Sequence, residues 1–368
     1  MRVLRSLATT CLLALALTGA AVSVPTTAAA RPPAKVMLEG LSSPKGIDMG
    51  SGGGIIVAQG AFGAPGPVLF VPPLRGHGGP VPVTDPASLT DVAVSPFDGT
   101  GFGIGPDPAT GDVWLYHQLS DGSIVSVLNI TAYQAIDIDP VDQDEPPDPG
   151  ESNPYGLAVM RNGDALVADA AGNDVLRVTP DGDATTVARL DVESISTDHL
   201  PPEMGLPPFI DAEAVPTTVA IGPDGAIYVG ELKGFPFRPG SSHIWRIDAS
   251  ADGAWCSVNT PDPQCTVHDA GFTAIQDIAF EHDGGAGAAD VAPLYVYELA
   301  AGGVLEFEEG FETGEFPPAV LLSVEGGERT EIVPGQLSQP GGVTVSPNGA
   351  VYVTDGMFGN GRLVRALE

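Results

Sequence analysis

The chain has 368 residues, of which 47 are Asp or Glu and 15 are Lys or Arg, so its formal net charge at pH 7 is −32. This charge excludes the basic surface that nucleic-acid binding requires, and it would repel an anionic membrane surface. Hydrophobic residues make up 43% of the chain, enough for a large core, and the 48 Gly and 36 Pro residues indicate a protein rich in turns.

Residues 1–30 have the pattern of a signal peptide. Arg2 and Arg5 provide a basic start, an uncharged apolar stretch covers 7–24, and small residues precede Arg31. This pattern predicts cleavage at that point and export to the periplasm, the cell surface or the medium. Thr and Pro residues interrupt the apolar stretch and no basic stop-transfer segment follows, so we expect no membrane insertion after cleavage.

A pattern that recurs six times occupies the remaining chain. Each unit has a short apolar strand, a turn that ends in Gly, a second apolar strand and, in most units, an acidic or amide residue at its end. The units cover 43–60, 89–105, 153–169, 215–231, 274–298 and 339–355. Pro-Asp-Gly and Pro-Asn-Gly turns between β-branched strands indicate antiparallel pairing. The repeats therefore predict one all-β domain over 31–368, a six-bladed β-propeller.

Further extended segments complete blades of four antiparallel strands. Third strands are predicted at 174–180, 243–249, 303–309 and 362–368, and fourth strands at 184–190 and 320–326. The last unit contains only three strands. We expect the segment 35–40, near the start of the mature chain, to supply its fourth strand and so close the ring without an exposed edge.

Cys256 and Cys265 are predicted to form a disulfide. They lie nine residues apart in the sequence CSVNTPDPQC, and an even pair in an exported protein fits an oxidising compartment. A metal site would need further ligands at matched spacing, and His268 alone lies nearby. We expect the disulfide to staple a surface loop.

The repeats resemble NHL-type and SMP-30-like propellers. The stretches 153–178 (NPYGLAVMRNGDALVADAAGNDVLRV) and 215–247 (VPTTVAIGPDGAIYVGELKGFPFRPGSSHIWRI) resemble more closely the ScyD/ScyE family of exported propeller proteins. The resemblance extends over nearly the whole mature chain. It implies a secreted or periplasmic propeller, and it supplies no established catalytic residues to carry over.

The residues that end the second strands recur at one rim of the predicted propeller. They are Gln59, Gly105, Asp169, Glu231, Glu298 and Asp355. One interpretation is a carboxylate collar that holds calcium or magnesium, because hard cations take several oxygen ligands. The other is that each side chain accepts backbone N–H bonds in the turn that follows its strand. The resemblance to SMP-30-type lactonases, which place a Glu, an Asn and an Asp around one metal, adds Asn153 to the candidate metal ligands Asp169, Glu231, Glu298 and Asp355.

The same rim is the predicted ligand-binding surface. Two long insertions join it, 137–153, which we expect to be a mobile solvated loop, and 191–216, which carries enough apolar residues to pack as a lid. Phe235 and Phe237 either form an apolar wall for a ligand or pack down over their own loop. The candidate ligand-binding residues are Asn153, Tyr155, Glu231, Phe235, Phe237 and Glu298.

The first functional interpretation is an exported binding or scaffold module that uses this acidic rim. Its partner would be a small molecule, a cation or an extracellular protein. The alternatives are a metal-dependent lactonase or esterase of SMP-30 type and a calcium-stabilised structural protein of the cell surface. The G-x-S-x-G and H-E-x-x-H motifs of hydrolases and metalloproteases are absent from the sequence, which favours a module without turnover.

Overall fold

The computed structural model describes residues 33–73, 79–144, 146–281 and 292–367. The predicted signal peptide, residues 1–30, lies outside the described residues. No helix in the described ranges combines the length and the apolar character needed to cross a bilayer.

The first half of the chain forms a single leading strand and three blades, with strands numbered in chain order. The leading strand is β1 (Lys35–Ser42). Blade 1 contains β2 (Ile47–Met49), β3 (Ile55–Val57), β4 (Leu69–Val71) and β5 (Val81–Pro82). Blade 2 contains β6 (Asp91–Val94), β7 (Gly101–Pro106), β8 (Val113–Gln118) and β9 (Ile124–Asn129). Blade 3 contains β10 (Pro154–Val159), β11 (Ala165–Asp169), β12 (Asp174–Val178) and β13 (Ala184–Leu190).

The second half begins with a hairpin and forms three further blades. The hairpin consists of β14 (Glu193–Ser196) and β15 (Phe209–Ala212). Blade 4 contains β16 (Pro216–Ile221), β17 (Ile227–Glu231), β18 (Ser242–Ile247) and, after β19 (Ala254–Cys256), β20 (Cys265–Phe272). Blade 5 contains β21 (Ile275–Phe280), β22 (Leu294–Glu298), β23 (Val320–Glu325) and β24 (Glu328–Ile332). Blade 6 contains β25 (Pro340–Val345), β26 (Val351–Asp355) and β27 (Asn360–Leu367).

The described helices are few and short. They are α1 (Ile130–Gln134), α2 (Gly303–Thr313) and the 3₁₀ turns Ser51–Gly53 and Pro202–Met204.

The six blades close into a ring around a central axis. Each blade is antiparallel from its innermost strand outwards, and the innermost strands β2, β6, β10, β16, β21 and β25 contact one another in a closed cycle. In blade 6 the outermost strand is β1, which pairs with β27. The predicted all-β, six-bladed propeller with a last blade closed by the N-terminal strand is therefore confirmed.

The strand order defines two rims. In blades 3, 4 and 6 the first residue of the inner strand faces the last residue of the second strand, as Pro154 faces Asp169. The long insertions enter at this side, which we name the insertion rim. The turns between first and second strands lie at the other side, the opposite rim.

Apolar side chains fill the spaces between neighbouring blades. The cluster between blades 3 and 4 includes Leu166 and Val229, which are both fully buried. Comparable clusters occupy four other interfaces. The cluster between blades 1 and 2 is much smaller, with Ala58, Val68 and Val92 as its buried members.

Two predicted strands of blade 5 are wrong. The segment 303–309 lies in α2, and the segment 320–326 forms the third strand of the blade, with β24 as the fourth. The reason is that Val304 and Phe307, three residues apart, share one face of a helix and bury that face against the insertion rim.

The predicted disulfide between Cys256 and Cys265 is confirmed, but its setting differs from the expected surface loop. Cys256 ends β19, which pairs in parallel with β13 and adds a fifth strand to blade 3. Cys265 begins β20, the outer strand of blade 4, and both cysteines are buried in the cluster between the two blades. The disulfide therefore joins neighbouring blades.

Candidate functional site

Glu231, at the end of the second strand of blade 4, is the centre of a buried charge network. Its Oε1 accepts bonds from the backbone N (2.9 Å) and Nδ1 (2.6 Å) of His243 and from Lys233 Nζ (2.8 Å), while Oε2 accepts from Trp245 Nε1 (3.0 Å). Glu193, from the hairpin, lies 3.2 Å from Lys233 Nζ. Burial opposes ionisation of Glu231, but Lys233 and His243 outweigh it and lower its pKa.

The other strand-end side chains also form hydrogen bonds with segments next to their own strands, in the same blade or in the neighbouring one. Asp169 Oδ1 accepts the backbone N–H groups of Asn153 (2.6 Å) and of the turn that follows its strand. Glu298 accepts the backbone N–H of Thr273 (2.6 Å), and burial raises its pKa to about 7. Asp355 and Gln59 follow the same rule: Asp355 accepts bonds from Ser338 and Arg362, and Gln59 bonds the backbone of Ser42 and Pro67.

These carboxylates do not gather around one point. Within the described ranges, no group of three His, Cys, Asp or Glu side chains has an arrangement that could hold a metal ion. Asn153 is exposed, and its backbone rather than its side chain makes the bond to Asp169. The local-bonding interpretation describes the contacts, and a calcium or magnesium site at these residues stays a prediction.

Tyr155 extends from the inner strand of blade 3 across the axis of the ring. Its hydroxyl accepts a bond from Gln276 Nε2 (2.8 Å) in blade 5, and its ring lies 6.3 Å from that of Phe62 in blade 1. Lys45, also from blade 1, lies 4.1 Å above the same ring and donates to the Tyr155 carbonyl oxygen (2.7 Å). Three blades therefore meet at one side chain near the insertion-rim end of the central channel.

Three half-buried aspartates link neighbouring inner strands in the channel wall. Each carboxylate accepts the backbone N–H of the residue that follows it and a backbone N–H from the next blade. The pairs between blades are Asp48 with Val94 (2.7 Å), Asp91 with Leu157 (2.9 Å) and Asp277 with Val343 (2.7 Å). Burial raises the pKa of Asp48 to about 6 and that of Asp91 to about 7, the latter against the opposing charge of Lys45. These groups hold neighbouring blades together.

A second apolar cluster, the apolar cap, covers the insertion rim above blades 4, 5 and 6. Its buried members are Ala274, Leu299, Ala300, Val304, Phe307 and Met357. Phe237 packs against this cap, and Phe235 contacts Phe237 edge to face with ring centroids 5.8 Å apart. The aromatic pair therefore lies at the edge of the apolar cap, and a ligand contact at Phe235 and Phe237 stays a prediction.

The two long insertions form one connected surface. In the first insertion, Asp139 is buried and accepts a hydrogen bond from Asn173 Nδ2 (2.9 Å). The Oδ1 atom of the same Asn173 accepts the backbone N–H of Val215 in the second insertion. The backbone N–H of Gln143 also donates to Glu213 Oε1 (2.9 Å). The first insertion is thus anchored by specific bonds, in contrast to the mobile loop expected from its composition.

The hairpin of the second insertion continues this surface toward blade 5. His199 Nε2 lies 3.0 Å from the carbonyl oxygen of Pro236, and Arg238 pairs with Asp198. We name the segments 135–153, 191–213 and 303–315 together the insertion surface. They leave large apolar side chains exposed to solvent: Ile136 (83%), Ile138 (54%), Met204 (38%), Phe209 (59%) and Phe311 (52%).

The sequence did not reveal several of these residues. Lys45 and Lys233 are rare lysines in an acidic chain, and their scarcity was the one available signal that each has a specific buried partner. His243 stands two residues before Trp245 on a strand and resembles any half-buried histidine. Ile136 and Ile138 lie in a segment whose polar composition predicts a solvated loop rather than an apolar surface.

Comparisons with known proteins give the fold and one repeat family. The NHL repeat model matches residues 337–365, which contain the two inner strands of blade 6 and most of β27. No curated protein matches the chain.

Among solved structures, a glucose dehydrogenase is similar with 15% identity and a TM-score of 0.54, over 91% of this chain and 99% of its own. The soluble aldose sugar dehydrogenase of Escherichia coli has 14% identity and a TM-score of 0.52, over 90% and 98%. A Trichoderma reesei carbohydrate-active enzyme of family AA12 has 13% identity and a TM-score of 0.52, over 95% and 100%. At such identity these similarities show the propeller fold alone.

Proposed function

We propose that this chain is an exported binding module whose insertion surface takes up a basic, partly apolar segment of a partner protein. The observation that carries the proposal is the composition of that surface. Its three segments contain seven, six and five acidic residues and no Lys or Arg, and each of them exposes large apolar side chains. A partner segment with apolar and cationic side chains fits this surface, because its apolar side chains can contact the exposed apolar residues and its cations are attracted by the surrounding acids.

The two rims differ in how many blades expose large apolar residues. Among the described hairpin turns at the opposite rim, those of blade 2 alone expose any, namely Phe97 and Leu119. The central channel is a less suitable route, because Tyr155, Lys45 and Gln276 contact one another across its end at the insertion rim. The metal-dependent alternatives need a cluster of ligands that the described residues do not form.

The predicted ligand-binding residues take different parts in this proposal. Asn153 is exposed at the end of the first insertion and is proposed to contact the partner. Glu231 supports the hairpin of the second insertion through Lys233, which also pairs with Glu193, whereas Tyr155 and Glu298 contact residues outside the insertion surface. Export is proposed from the signal-peptide pattern, the disulfide and the resemblance of 153–178 and 215–247 to the ScyD/ScyE family.

Binding of a synthetic amphipathic peptide of leucine and lysine, measured by calorimetry, tests the proposal. We expect the peptide to bind at low salt, to bind more weakly at high salt, and to lose binding when glutamate replaces its lysines. Phe209→Ser and Phe311→Ser should each weaken binding about 5- to 30-fold, because each removes an apolar anchor worth about 1 to 2 kcal/mol.

Matched variants separate this site from general attraction to an acidic protein. Phe97→Ser removes an even more exposed phenylalanine from the opposite rim and should leave binding unchanged. Glu312→Lys, on α2, should weaken binding more than Glu325→Lys, which changes an exposed acid at the opposite rim. If both members of each pair have the same effect, the insertion surface is not the binding site.

A further inference from the structure

Two glycines leave a gap in the interface between blades 1 and 2. The second strand of blade 2 reads Gly101-Phe102-Gly103-Ile104, and Phe102 and Ile104 point toward blade 3, where they join its apolar cluster. Side chains alternate along a strand, so Gly101 and Gly103 face blade 1. The positions equivalent to Gly103 in the five other blades are all valine: Val57, Val167, Val229, Val296 and Val353.

The position equivalent to Gly101 shows the same contrast. The other blades have Ile55, Ala165, Ile227, Leu294 and Val351 there. All ten of these side chains are buried in the interface with the preceding blade. Blade 2 alone lacks both side chains, which explains why the cluster between blades 1 and 2 is the smallest of the six.

A pocket of about 140 Å³ lies between the two blades beside Gly101 and is partly open to solvent. Blade 1 contributes Ile56, Val68 and Phe70, and blade 2 contributes Val92, Tyr116 and Ile124. None of the described residues that line it carries a charge. An apolar cavity of about 150 Å³ holds a molecule of the size of benzene.

We propose that this cavity is a binding site for a small uncharged apolar molecule of about one six-membered ring. It is independent of the insertion surface, which lies at the insertion rim on blades 3 to 5. At Gly103 the Leu89 side chain already takes up part of the space, because a Cβ there would lie 3.1 Å from Leu89 Cδ1. The ligand therefore lies beside Gly101 and makes the contacts that an aliphatic side chain makes at this position in the other blades.

Fluorobenzene and 4-fluorobenzoate are the probes, followed by fluorine NMR and by thermal unfolding of the mature protein. We expect fluorobenzene to bind and to raise the midpoint of unfolding, as any ligand of the folded state does. The benzoate should not bind, because no cationic side chain among the described lining residues replaces the water around its carboxylate.

Filling the cavity from within provides the decisive variant. A Cβ added at Gly101 would lie 3.6 Å from its nearest neighbour, Gln118 Oε1, so a side chain can start there without a clash. Gly101→Val should raise the midpoint of unfolding and weaken fluorobenzene binding by at least about tenfold, because its methyl groups take up part of the cavity. Gly101→Ala is a smaller change and should have smaller effects on the midpoint and on fluorobenzene binding. It provides the test if the valine variant fails to fold. Gly79→Val, at an exposed glycine in open space, should change neither property.

Two results would overturn the proposal. One is an absence of fluorobenzene binding to the unaltered protein up to the solubility of the probe. The other is equal binding to the unaltered protein and to a folded Gly101→Val or Gly101→Ala variant.

Discussion

Glu231 illustrates at the residue scale how a buried carboxylate becomes part of the framework. Four donors converge on its two oxygens, and Lys233, which is 2% exposed, depends on it for its shortest ion pair. A repeated structural unit repeats the chemistry of its turns. Acids that recur at strand ends are therefore a sign of shared local bonding as much as of a shared ligand.

We predict that Glu231→Gln lowers the free energy of unfolding by about 3 to 5 kcal/mol, because it leaves the buried Lys233 with a weaker set of partners. Urea denaturation measures this. The double variant Glu231→Gln with Lys233→Met should recover part of the loss, since it removes both charges. Glu325→Gln, at an exposed acid, should change the stability by less than about 0.5 kcal/mol. A loss below about 1 kcal/mol for Glu231→Gln would contradict the assigned role.

At the scale of elements, α2 shows where local sequence patterns mislead. The segment 303–309 alternates well enough to suggest a strand, yet its apolar residues also recur at helical spacing and the helix is what buries Phe307. Phe307 lies within 5.8 Å of the rings of Phe311, Phe316 and Phe358. Contacts with other blades favour the helix over the strand at this segment, and a local sequence pattern does not contain those contacts.

Phe307 and Phe311 should respond differently to truncation because one is buried and the other is half exposed. Phe307→Ala should lower the stability by about 3 to 5 kcal/mol through the cavity it leaves in the apolar cap. Phe311→Ala should cost less than half as much and act mainly on peptide binding at the insertion surface. Thermal unfolding of both variants provides the comparison. Equal losses would show that α2 does not pack as described.

The parts of the fold that could be predicted from the sequence are those that residues close together in the chain determine. The turn Pro223-Asp224-Gly225 between β16 and β17 is one example, because Gly225 adopts a positive φ that glycine accepts more readily than other residues. The parallel pairing of β19 with β13 and the reach of Tyr155 across the axis were not predictable. Both depend on residues far apart in the chain that meet only when the ring closes.

Closure of the ring involves the whole molecule, because it pairs strands from the two ends of the described chain. Strand β1 pairs with β27 along its length and brings Leu41 into the cluster between blades 6 and 1. A chain that begins at Leu41 should unfold at a lower temperature than one that begins at Pro33, and it should self-associate at high concentration because the edge of β27 is then unpaired. Thermal unfolding and light scattering test this. Val36→Thr, at a partly exposed position of β1, is the control and should behave as the longer chain.

The pH dependence of stability also involves the whole molecule, because buried acids are spread over the ring. Burial raises the pKa of Asp48 to about 6 and those of Asp91, Glu213 and Glu298 to about 7. The folded state therefore binds these protons more tightly than the unfolded chain does. Their contribution to stability is complete below about pH 4, decreases as the pH rises toward about 7, and is constant above that.

The midpoint of thermal unfolding should accordingly be higher at about pH 5 than at about pH 8. Repulsion among the surface acids acts in the same direction, but salt screens it, whereas buried groups are screened much less. The difference in midpoint between pH 5 and pH 8 that persists at high salt is therefore the part due to burial. Asp91→Asn should reduce that part and Glu325→Gln should not, because the half-buried Asp91 has a raised pKa and Glu325 is exposed. A midpoint that is independent of pH at high salt would contradict the prediction.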